Sequence, residues 1–131
     1  MKLNVSVDGL EDAHDKIRGI KGSFHKTVQT IRVIRRIFPN QRIEIKMTIM
    51  RDNYLEINEV YQLSQKLGCS FSCKPVDSMS NYTNRNSKFS SSFNENAICS
   101  IRNQTFSVAE GMLKNNEYKK GVLLSVFHFK T

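Results

Sequence analysis

Side chains able to hold a polar ligand fall at the ends of three strand-like runs. Ser6 and Asp8 close LNVSVD, Thr48 lies near the end of IEIKMTIM, and Lys74 to Asp77 close SFSCKPV. In open α/β sheets and in βα barrels, ligands bind at the carboxyl ends of the strands. A hydroxyl, a carboxylate and a second hydroxyl suit a polyhydroxylated ligand such as a ribose. Asp8-Gly9 also makes a tight turn where backbone can approach a ligand. On spacing alone, Asp8 is equally suited to cap a short helix that follows. Downstream, His14-Asp15-Lys16-Ile17-Arg18-Gly19 places an Arg in the loop after a strand. Such a guanidinium can fork onto a carboxylate or phosphate. His14 has acid–base chemistry, but a lone His in a loop is more often structural, and no catalytic residue is assigned.

The elements that must position these groups are legible from periodicity. In each strand-like run every second side chain is polar. Leu3, Val5 and Val7 oppose Asn4, Ser6 and Asp8; Ile43, Ile45, Met47 and Ile49 oppose Glu44, Lys46 and Thr48; Phe71 and Cys73 oppose Ser70, Ser72 and Lys74. Buried parallel strands should read as continuous apolar runs. Alternation instead predicts three polar faces lining one wall of a site. Strands are expected over about 3–8, 42–50 and 70–76. A helix is expected over about 23–38, with Phe24, Val28, Ile31, Ile34 and Phe38 in one stripe, Ser23 as N-cap and Pro39 as stop. A second helix runs to about Leu67, with Asn53 and Glu56 suited to cap it reciprocally and Gly68 just past its end. Alternating strands and helices predict an α/β fold with a parallel sheet, either one edge of an open sheet or an arc of a barrel.

Beyond Val76 the pattern changes. Residues 77–97 are rich in Ser and Asn and read as a loop, with Phe89 and Phe93 as candidate anchors. Residues 98–131 read as an extension of mixed character: AICSI looks strand-like, QTFSVAEGMLKNNEYKKG suits a helix interrupted at Gly111, and VLLSVFHF suits a strand or a buried helical turn.

Bulk properties exclude several classes. The chain has 131 residues, 39% hydrophobic and 24% charged, which suits one modest domain and argues against wholesale disorder. No apolar run is long enough to span a bilayer, and MKLNVSVDG lacks a signal-peptide core. With three cysteines, reduced thiols and a cytoplasmic location are expected. The formal charge of +8 is spread along the chain. Its one tight cluster, Arg32, Arg35 and Arg36, reads as a solvated helix face, so a nucleic-acid partner is disfavoured. Cys69 and Cys73 lie four residues apart on one strand face, at about 3.3 Å rise per residue, too far apart to share one metal ion comfortably.

The ordered combination Ser-x-Asp-Gly (6–9), His-Asp-x-x-Arg-Gly (14–19) and Gly-Ser-Phe (22–24), followed by a helix, resembles the middle of a radical S-adenosylmethionine domain. IEIKMTIMRDNYLEINEVYQLSQKLGCSFSCKPV resembles the next strand, helix and strand, including Thr48 and Asn53. The resemblance covers about residues 3–76 and is closest to the subgroup of peptide-modifying and cofactor-building enzymes. It implies a partial TIM-like (βα)6 barrel in which the three strands are the fourth to sixth. It also implies that Ser6 and Arg18 contact the ribose or methionine carboxylate of S-adenosylmethionine, and that Val76 and Asp77 pass close to the adenine. The family binds a [4Fe–4S] cluster through a C-x3-C-x2-C loop that has no counterpart in this sequence.

The expectation is therefore the C-terminal portion of such a domain, from an expressed fragment or a truncated gene product. It would keep part of the cofactor wall and be inactive alone. Its partners would be the missing half of the domain or a second copy paired at an exposed strand edge, and a peptide or small-molecule substrate in the intact parent. The alternatives are a non-catalytic nucleoside-binding or protein-interaction module and, more weakly, a small basic nucleic-acid-binding protein.

Overall fold

The computed structural model describes residues 1–76 and 93–115. Three parallel strands, β1 (Lys2–Ser6), β2 (Arg42–Ile49) and β3 (Ser70–Pro75), lie in the order β1-β2-β3. Between β1 and β2 come helices α1 (Glu11–Arg18) and α2 (Ser23–Ile37). Between β2 and β3 come a 3-10 turn (Tyr54–Glu56) and α3 (Ile57–Lys66), and α4 (Glu95–Lys114) follows.

The register explains the alternation. Val5 pairs with Ile45, and Ile45 with Phe71; one position on, Ser6 pairs with Lys46, and Lys46 with Ser72. Apolar side chains from all three strands therefore share one face. Val7, Ile43, Ile45, Met47, Ile49 and Phe71 are buried there with Val28 and Ile31 of α2, Val60 and Tyr61 of α3, and Ile101, Val108 and Met112 of α4. Each fully buried aliphatic or aromatic side chain contributes about 1.5–3 kcal/mol. The opposite face is polar, and most of it is open: Asn4, Ser6, Lys46, Ser70 and Lys74 are exposed.

Three expected details are corrected. AICSI is helical, being the first part of α4. Ala97, Ile101, Thr105, Val108 and Met112 are buried at helical spacing, and the Asn94 side chain caps the helix by accepting the Ala97 N–H at 2.8 Å. Gly111 does not interrupt that helix; a Cβ there would stand 2.8 Å from the Tyr61 hydroxyl, so the missing side chain lets α4 approach α3. Arg35 is not part of a solvated face. Its guanidinium donates to the carbonyls of Leu67, Pro39, Gln41 and Gly68, tying the end of α2 to the turns before β2 and β3. Arg32 and Arg36 are exposed as expected. Phe93 stacks edge-on against Tyr54 at 6.2 Å. Asp77, Phe89 and VLLSVFHF lie outside the described residues.

Candidate ligand-binding site

The carboxyl ends of β1 and β2 are joined by one polar network centred on Asp8. Asp8 is 4% exposed. Its Oδ2 accepts from Arg18 Nη2 at 2.7 Å, and its Oδ1 accepts the Thr48 N–H at 3.1 Å. Asp8 does not cap α1, whose N-cap is Leu10 without a side-chain bond. Instead its carboxylate links the start of one βα unit to the strand of the next. It also fixes the Arg18 guanidinium, which ends α1 rather than lying in a loop. The Arg18 side chain remains 40% exposed, so the guanidinium is anchored on one side and open on the other.

Asn53 and Glu56 do not form the expected reciprocal cap. The Asn53 side chain accepts the Met50 N–H at 2.7 Å and donates to the carbonyls of Asp8 and Thr48, both at 2.8 Å. At 1% exposed, it locks the two strand ends together. Glu56 Oε2 accepts the Leu10 N–H at 2.8 Å. Gly9, with φ +154°, is required at this turn, because a Cβ would lie 2.5 Å from that same oxygen and 2.7 Å from Ala13 Cβ.

His14 is a buried helical residue, not a loop residue. Its Nδ1 accepts the Asp8 N–H at 3.1 Å, which leaves Nε2 as the protonated nitrogen, 3.3 Å from Ser23 Oγ. Burial lowers its pKa from the usual 6.5, and the nearby Arg18 charge adds to this against the opposing pull of Asp8 and Asp15. A neutral, doubly engaged imidazole holds backbone in place and is not free to shuttle protons.

Asp15, which residue patterning did not single out, caps α2 in place of Ser23. Its two oxygens accept the N–H groups of Phe24 at 2.8 Å and Gly22 at 2.5 Å. The Phe24 N–H, chiefly, holds its pKa below the usual carboxylate value. The cap comes from the preceding helix, a relation that local spacing cannot reveal.

The remaining expected site residues are placed as follows. Ser6 is exposed on the polar face, two residues before Asp8. Thr48 is half-buried at the same end of β2. Val76 donates its N–H to the Ile49 carbonyl at 2.9 Å, which puts it at the same end of the sheet. The structure thus brings Asp8, Arg18 and the Thr48 backbone into direct contact, with Ser6 and Val76 at the same rim. A concavity of about 430 Å3 lies at the opposite end of the strands, lined by Arg35, Gln41, Ile43, Gly68 and Phe71 among others. The Arg35 guanidinium there is committed to backbone carbonyls.

The donor set at that end fits S-adenosylmethionine, which offers a carboxylate, an ammonium group and ribose hydroxyls. Arg18 and Ser6 present open donors suited to the carboxylate and the ribose hydroxyls. An iron–sulfur cluster does not fit the described residues. Among them no three His, Cys, Asp or Glu side chains are grouped to hold a metal. Burial raises the pKa of the Cys69 thiol and pushes the Cys73 thiol up to about 12, while Cys99 is exposed on α4.

No family model matches the chain. Over 69 residues, 51% of the chain, it is 38% identical to an AdoMet-dependent heme synthase from Methanosarcina barkeri. Over 68 residues, 52% of the chain, it is 29% identical to the sporulation killing factor maturation protein SkfB from Bacillus subtilis. The matched stretches span 19% and 16% of those two proteins, so the chain corresponds to a minor part of each. These similarities, over about half the chain, support a relationship to radical S-adenosylmethionine enzymes.

Proposed function

We propose that residues 1–76 supply the S-adenosylmethionine-binding end of a radical S-adenosylmethionine domain built as a partial TIM-like barrel. In this reading the polar sheet face is part of the barrel lumen. Arg18, held by Asp8, receives the methionine carboxylate, Ser6 and Thr48 lie along the ribose, and Val76 and Asp77 border the adenine. The observation that carries the reading is the Asp8–Arg18 pair at 2.7 Å. It presents a preorganised guanidinium at the carboxyl end of a parallel sheet, where ligands of such sheets bind.

The intact parent would modify a peptide or a cofactor precursor in the cytoplasm. Radical formation needs a [4Fe–4S] cluster, for which the described residues offer no ligand set. In this reading the described residues bind the cofactor, and the cluster ligands come from elsewhere, in a partner or in a further part of the same protein. Pairing of that part, or of a second copy, along the edge of β1 that no described strand pairs would also cover the polar face.

Calorimetric titration of the full chain with S-adenosylmethionine tests the reading. Saturable binding that Arg18→Ala weakens about tenfold is the expected result. Absence of saturable heat in the wild type overturns it.

A further inference from the structure

The polar face carries a second constellation, one row of residues further into the sheet. In the strand register, Ser6 on β1, Lys46 on β2 and Ser72 on β3 stand side by side. Neighbouring strands are about 4.8 Å apart, so each hydroxyl stands one spacing from the Lys46 stem and the two lie on opposite sides of it. The next row adds Thr48 beside Lys74. All of these side chains are on the face that no described helix covers.

Charge is unevenly compensated across this face. Its two acids are committed. Asp8 is paired with Arg18 at 2.7 Å. Glu44 is held by Lys2 at 2.7 Å, and Lys46 Nζ stands 3.9 Å from the same Glu44 oxygen, a far looser contact. Lys46 is 51% exposed in its side chain, and Lys74 has no ion-pair partner among the described residues. The two ammonium groups on adjacent strands, with the Ser72 hydroxyl beside them, form a set of donors whose one acceptor among the described residues is the loose Glu44 contact of Lys46.

We infer that Lys46 and Ser72, with Lys74 and beside the Ser6 of the proposed cofactor wall, form a binding site for an oxyanion, a carboxylate or phosphate group of the substrate. A carboxylate or phosphate group takes charge-assisted bonds from Lys46 and Lys74 and a neutral bond from the Ser72 hydroxyl beside them. The site lies deeper along the sheet than Arg18. A ligand held there points its other end toward the strand termini, where the proposed cofactor site lies. The inference rests on the proposed function for the identity of the ligand as substrate. The anion site itself stands on this geometry alone.

The test is titration of the full chain, followed by amide chemical shifts, with inorganic pyrophosphate and separately with succinate. S-adenosylmethionine is titrated as a third, independent arm. Lys46→Gln is the probing variant. Lys114→Gln, an exposed lysine at the end of α4, controls for the net charge of +8. Saturable shifts confined to β1, β2 and β3 are expected with at least one of the two anions. Lys46→Gln should weaken that affinity about tenfold, with Lys114→Gln unchanged. The tighter of the two anions identifies phosphate or carboxylate as the group recognised. Equal weakening by both variants, or no saturable shift with either anion, overturns the site. Loss of S-adenosylmethionine binding with anion binding retained overturns the proposed function and leaves the anion site standing. The opposite pattern does the reverse.

Discussion

Nδ1 of the buried His14 accepts the backbone N–H of Asp8 at 3.1 Å, so the residue that holds Arg18 is itself held by a neutral imidazole. The bond fails if His14 is protonated, because both ring nitrogens then donate. The unfolded chain takes up that proton below about pH 6.5, whereas burial and Arg18 depress the pKa in the folded chain. A depressed folded pKa gives stability that is complete above the unfolded value and is lost as pH falls.

Stability should accordingly decline from about pH 6.5 downward, by at most about 1.4 kcal/mol per pH unit for this one group. The lowered pKa of Asp15 contributes only further down, as pH falls below its usual 3.8. Urea unfolding between pH 7.5 and 5 measures the slope. His14→Gln, which keeps an acceptor but does not titrate, should flatten it. An unchanged slope in His14→Gln sinks the assignment.

Asp8→Asn tests whether Asp8 positions Arg18 rather than touching the ligand. The amide retains an acceptor for the Thr48 N–H and loses the ionic partner of Arg18. Because the Arg18 side chain is 40% exposed, solvent screens the pair, and the stability cost should be about 1 kcal/mol. Asp8→Ala also strands the Thr48 N–H and should cost about 1–3 kcal/mol more. On S-adenosylmethionine binding, Asp8→Asn should weaken affinity less than Arg18→Ala does. Equal losses in the two variants would mean that Asp8 contacts the ligand directly.

Residue patterning located the strands and α2 to within a residue or two, because alternation and the 3.6-residue period are local signals. It also anticipated the polar face, and the structure places Ser6, Thr48 and Val76 at its rim. What it missed were relations between distant segments. Asn53 and Glu56 have the spacing of a cap, yet their side chains are drawn away by unpaired backbone groups at Thr48, Asp8 and Leu10. Arg35 shares a helix with exposed arginines, but four carbonyls from two turns converge on it. In α4 the β-branched AICSI mimics a strand. Its helical period shows only when it is read together with Thr105, Val108 and Met112.

The three thiols should differ sharply in reactivity. Thiolate is the reactive form, and burial raises the pKa of both Cys69 and Cys73, the latter to about 12. Cys99 is exposed. Brief iodoacetamide treatment of the native protein at pH 8, read by peptide mass spectrometry, should label Cys99 first and the other two only after unfolding in urea. Early labelling of Cys73 would show that β3, an edge strand among the described residues, opens readily.

Gly9 should be the least replaceable residue of the β1–α1 turn. Its φ of +154° strains any L side chain, and an added Cβ meets Glu56 Oε2 at 2.5 Å and Ala13 Cβ at 2.7 Å. Strain of about 1–3 kcal/mol combines with overpacking of similar size, so Gly9→Ala should destabilise by about 2–4 kcal/mol. The Glu56 contact is relievable, since it is the end of a flexible side chain; the Ala13 contact and the backbone strain are not. Glu56→Ala alone should cost about 1 kcal/mol or less, because the Leu10 N–H it releases is exposed and passes to water. In the Gly9→Ala background the same change should cost less than that, or should stabilise. Urea midpoints of the two single variants and the double variant measure this coupling. Strict additivity would show that Glu56 and Gly9 are not packed as described and that the turn holding Asp8 is shaped by something else.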